Sequence, residues 1–128
     1  MTNPLEVGLV KTLGMRLVEA SGDRVRLEWA VSPDHYQPDG IVHGGVHCAA
    51  IESAASFGAG LWFGDRGRVV GVSNQTDFLR AVREGTLSAV ATPIHRGRSQ
   101  QLWLVEISDE EHRLVARGQV RLQNLTAS

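Results

Sequence analysis

IVHGGVHCAAIESAASFGAG, residues 41–60, decides how this chain folds. Residues 44 to about 62 read as its one long helix, with Val46, Ala50, Ala54, Phe57 and Leu61 near one face. The alanines and glycines let neighbouring elements come close to the helix axis. His43, His47, Cys48 and Glu52 set titratable groups into this small, apolar run. A helix built only for packing has no need of them.

Upstream, SPDHYQPDG (32–40) is a turn-rich loop with two prolines. Before it lie two strand signals separated by Ser21-Gly22-Asp23. The second, DRVRLEWAV, alternates Val25, Leu27, Trp29 and Val31 with Arg24, Arg26 and Glu28. Residues 4–13 carry the spacing of a short helix. Downstream everything reads as strand: VVGVSNQTDFLRAV (69–82), a turn at 83–85, TLSAVATPIH, the loop RGRS, QQLWLVEIS, a turn DEEH and RLVARGQVRLQNL. Alternation in the last run marks a sheet packed on one face and solvated on the other. Short connections make the neighbours antiparallel. The expected fold is α+β in one domain, residues 1–128. It is a curved antiparallel sheet of five or six strands around one helix, whose open edge favours pairing with a second copy.

Composition excludes several functions. The net charge of −1 gives no electrostatic case for nucleic acid or an anionic membrane. Cys48 is the sole cysteine, so no intrachain disulfide forms. No apolar run reaches the roughly 18 residues of a membrane span. The opening Met-Thr-Asn-Pro-Leu-Glu lacks the basic and apolar regions of a signal peptide, and a cytoplasmic protein is expected.

His43-Gly44-Gly45 stands between a loop and a helix start, where backbone N–H groups have no intrahelical partner. Those donors and the helix dipole suit a carbonyl oxygen that gains negative charge during acyl transfer. Cys48, Glu52 and Ser56 share an i, i+4 row, so Ser56 is placed to orient the carboxylate. Glu52 is costly to bury without a partner or a purpose, and a poorly solvated carboxylate serves a general base or nucleophile. Plainer roles stay open: His43 as a helix cap, Glu52 as an ion-pair partner of Arg80, Cys48 as a small hydrophobe. His43 and His47 have the spacing of a helical zinc pair, but Gly44 stands where such motifs carry glutamate, so no metal is expected.

The chain from about residue 12 to 125 resembles the hotdog-fold acyl-CoA thioesterases of the PaaI-like branch, which includes the 4-hydroxybenzoyl-CoA thioesterases. The resemblance rests on Gln37, Gly40, His43-Gly44-Gly45 and Glu52 nine positions after the histidine, on FLRAVREGTLSAVA, and on HRGRSQQLWLVEI. It implies a homodimer with one continuous sheet, able to assemble further into a tetramer, and active sites shared between subunits. Glu52 would be the base or nucleophile, facing Gln37, His43 and Gly44 of the opposite subunit, with Ser56 holding Glu52 or a water. Coenzyme A would enter as part of the substrate, with no separate cofactor. Its phosphates would meet Arg80, Arg96, Gly97, Arg98 and Ser99, and Phe57, Val72 and Phe78 would bound an aromatic or medium-chain acyl group. Asp77-Phe78 departs from the Asn-His of some relatives. Two other readings share the fold: an acyl-CoA or acyl-carrier-protein hydratase or dehydratase, and a non-catalytic acyl-CoA-binding module.

Overall fold

The computed structural model describes residues 7–127. In chain order they form α1 (Gly8–Thr12), β1 (Arg16–Ala20), β2 (Val25–Ala30), α2 (Gly44–Phe63), β3 (Gly67–Phe78), β4 (Thr86–Arg96), β5 (Gln100–Ser108) and β6 (Leu114–Thr126). The six strands make one antiparallel sheet in the order β1-β2-β4-β5-β6-β3. α2 lies across its concave face.

The two-residue alternation read from the sequence buries one face of every central strand. Val25, Leu27 and Trp29 of β2, Leu87, Ala89 and Ala91 of β4, and Trp103, Val105 and Ile107 of β5 all face the helix. α2 answers with Ala50, Ile51, Ala54, Ala55 and Ala59. Its small residues have a specific purpose at Gly58, where an added Cβ would stand 2.5 Å from Trp103 Cη2. Trp103 cannot yield easily, because its Nε1–H donates to Gln101 Oε1 (2.8 Å). Gln101 in turn donates to Asn124 Oδ1 (2.9 Å) and Ala59 O (3.2 Å).

Three expectations need correction. α1 spans only Gly8–Thr12, and residues 4–6 of the expected helix lie outside the described residues. Leu61, placed on the packed face by the sequence pattern, is 54% exposed. The strand expected to run to Val82 stops at Phe78. There the Leu79 and Arg80 N–H groups converge on Val115 O, and Val82 O accepts from Val42 N–H (2.8 Å), drawing the chain over to the loop ahead of α2.

Among the described residues β3 pairs with β6 on one side only, which leaves its other edge free. Its ladder carries a β-bulge between Gly71 and Ser73. Before the bulge Val69 and Gly71 lie toward the helix, near Gly60 and Glu52. After it Asn74 and Phe78 do, at Cys48 and Gly44. The extra residue therefore re-aims the second half of the strand.

Candidate active site

The loop that leads into α2 is organised by a residue the sequence reading passed over. His35 is buried; its Nδ1 accepts from Ser32 N–H (3.1 Å) and its Nε2–H donates to Leu13 O (2.7 Å). Its carbonyl accepts from His43 N–H (2.8 Å). One imidazole thus ties α1, the loop and the start of α2 together. The Ser-Pro-Asp-His pattern, with an N-cap serine and a hydrogen-bonding residue at N3, was the available signal.

His43 is the N-cap of α2, and its Nδ1 accepts from Gly45 N–H at 2.7 Å. That bond fixes a tautomer with Nε2–H as the remaining donor. The Gly44 N–H has no acceptor among the described residues. Gln37 uses Oε1 to accept from Asp39 N–H, which leaves its Nε2 hydrogens to donate elsewhere. These groups open on a cleft of about 590 Å³ walled by Gln37, His43, Gly44, His47, Phe78 and Arg80, among others. The Phe78 ring lies over Gly44, with Cζ 2.7 Å from where a Cβ would be.

Of the four titratable groups in the opening stretch, His47 alone is buried within the single chain. Its residual exposure is 3%, and it forms no hydrogen bond through Nδ1. Burial lowers its pKa to about 4, so the ring is neutral near pH 7. Leaving such a nitrogen without a partner costs about 1–3 kcal/mol. Cys48 is half-buried, and its carbonyl accepts from Asn74 Nδ2 (3.1 Å). Among the described residues no three His, Cys, Asp or Glu side chains gather as a metal would require.

Glu52, expected to be buried, is exposed on the single chain. It lies over Gly71 beside the free edge of β3, outside the walls of the cleft. No hydrogen bond joins it to Ser56, and no ion pair joins it to Arg80, among the described residues. Phe57 packs against the core and Val72 stands exposed on β3, so only Phe78 of the three expected pocket residues reaches the cleft. The Arg96–Ser99 loop is further still. Asn124 holds it through Gly97 O and Arg98 O beside the C-terminal end of α2, a 20-residue helix about 30 Å long. Arg96 is already engaged with Gly22 O (2.6 Å) and Asp23 Oδ1 (2.8 Å). Arg98 is exposed.

Known proteins share this fold. Residues 39–116 match the thioesterase superfamily. The chain belongs to that superfamily. It is a thioester hydrolase with the hotdog fold. The solved structure of a Mycobacterium tuberculosis protein named "putative esterase Rv1847/MT1895" superposes with a TM-score of 0.91 at 49% identity, covering 98% of this chain and 99% of that one. The 1,4-dihydroxy-2-naphthoyl-CoA hydrolase of Listeria monocytogenes is 32% identical over 85% of this thioesterase and 89% of its own length. The proofreading thioesterase EntH of Cronobacter turicensis is 34% identical over 87% and 82%.

Proposed function

We propose that the protein hydrolyses the thioester of an aromatic or medium-chain acyl-CoA to the free acid and CoA, in a site completed by a second copy of the chain. The observation that carries this reading is the split of the machinery. Donors for an oxyanion line the cleft, while the carboxylate stands two helical turns away beside an unpaired strand edge.

Pairing two copies along β3 repairs that split. An antiparallel ladder centred on Gln75, with Val72 left out at the bulge as it is against β6, sets the Gly71 position of one copy against the Phe78 position of the other. Glu52 sits over Gly71 and Gly44 lies under Phe78. With adjacent strands about 4.8 Å apart, the carboxylate of one subunit then approaches the helix start of its neighbour. The same contact buries Glu52, which a single chain leaves in water.

In that site Glu52 activates a water or attacks the thioester carbon itself. The Gly44 N–H and the Gln37 amide stabilise the oxyanion, the His43 Nε2–H helps position it, and Ser56 holds a water near the carboxylate. CoA departs as the thiol. Arg98 and Arg80 are the cations available for its phosphates, because Arg96 is committed to the β1–β2 turn. Dimers of this kind pair again into tetramers, in the cytoplasm, without a metal or further cofactor.

Thiol release from a panel of aromatic and aliphatic CoA esters is the test. The protein should turn over at least one class, and Glu52→Ala should lower kcat by at least about 100-fold with an unchanged circular-dichroism spectrum. Wild-type rates in that variant would remove Glu52 from the mechanism.

A further inference from the structure

We infer that His47 is a specificity residue, which receives a hydroxyl on the acyl group inside the cleft. This rests on the thioesterase reading above and adds to it what kind of acyl group the site prefers.

The residue is 97% withdrawn from solvent, yet its buried Nδ1 has no hydrogen-bond partner among the described residues. The other buried histidine, His35, has both nitrogens engaged. His47 follows Gly44 by three residues, one turn and about 4.5 Å along the axis. An acyl group whose carbonyl meets the Gly44 N–H therefore extends past this ring. Phe78 borders the same space, its ring centroid 6.2 Å from that of His47. Ile41, Val42, Phe78 and Leu79 give the cleft an apolar wall beside Gln37, His43 and Arg80, and within it the neutral His47 imidazole carries a donor and an acceptor. A purely hydrocarbon acyl group would leave that imidazole unpaired, whereas a hydroxyl would satisfy it. Near the carbonyl position His43 Nδ1 and Gln37 Oε1 are engaged with Gly45 and Asp39, and the remaining N–H donors of both side chains serve the oxyanion, whereas His47 has neither task.

The experiment compares kcat/KM for benzoyl-CoA with that for 2-, 3- and 4-hydroxybenzoyl-CoA in the wild-type protein and in His47→Leu. In the wild type the best hydroxylated ester should exceed benzoyl-CoA by about tenfold or more. In His47→Leu that advantage should shrink to within about twofold, and His47→Asn should recover part of it. His47→Val supplies a second apolar variant should the leucine protein fail to fold. A hydroxyl advantage that survives in the apolar variants, or one absent from the wild type while all four esters are hydrolysed, overturns the role of His47 alone. Failure of the wild type to hydrolyse any CoA ester overturns the thioesterase reading, and this inference with it.

Discussion

His47 links chemistry to stability at the level of a single side chain. Its pKa is depressed in the fold to about 4 from an ordinary 6.5, because burial disfavours the charged ring. Between those values the unfolded chain binds the proton and the folded chain does not, so unfolding takes up protons and stability rises with pH. Acidifying from pH 7 to pH 4 should therefore remove roughly 3 kcal/mol through this group. Urea unfolding of wild type and His47→Leu at the two pH values measures it. The leucine variant should lose correspondingly less, and equal losses would mean the ring is solvated. The sequence pattern put Val46, Ala50 and Ala54 on the packed face of α2 and did not single out the burial of His47 beside them. Its missing partner was not legible either, because hydrogen bonding depends on the walls around the ring.

α2 and β3 show where pattern reading succeeds and where it stops. The helix was legible because nothing else explains a 20-residue run of small and apolar residues that ends at Gly64. Its intolerance at Gly58 was not, since it depends on a tryptophan 45 positions away that is pinned by its own hydrogen bond. Gly58→Ala should lower stability by about 1–3 kcal/mol, read as a fall in the urea midpoint at constant m-value. Gly60→Ala is the control, because its added Cβ would meet only Val69 at 3.9 Å. β3 was recognised as a strand with its end misplaced. The pull of Val42 on Val82 is a contact between segments 40 residues apart, and strand propensity carries no trace of it.

For the molecule as a whole, the sheet-around-helix architecture followed from alternation and short turns. The active site followed only in part. Gln37, His43, Gly44 and Phe78 meet in one cleft, whereas Glu52, Ser56 and the Arg96–Ser99 loop lie away from it within one chain. Residue patterns alone do not say which copy supplies a group; it was the resemblance that assigned Glu52 to the opposite subunit. The shared-site reading makes a direct prediction. Gln37→Ala and Glu52→Ala homodimers should each be inactive. Unfolded and refolded together in equal amounts, they should regain about a quarter of the wild-type rate, since half the dimers are mixed and each carries one undamaged site. No recovery above the separate proteins would mean that one subunit supplies both groups. The bulge in β3 constrains this family member in another way. Because it sets which direction the strand's later side chains face, the number of residues between Gly71 and Phe78 matters more than their identity. Single-letter changes there are survivable, but loss of one residue would swing Phe78 off the helix start and turn Asn74 away from Cys48, dismantling the cleft without touching any group that lines it.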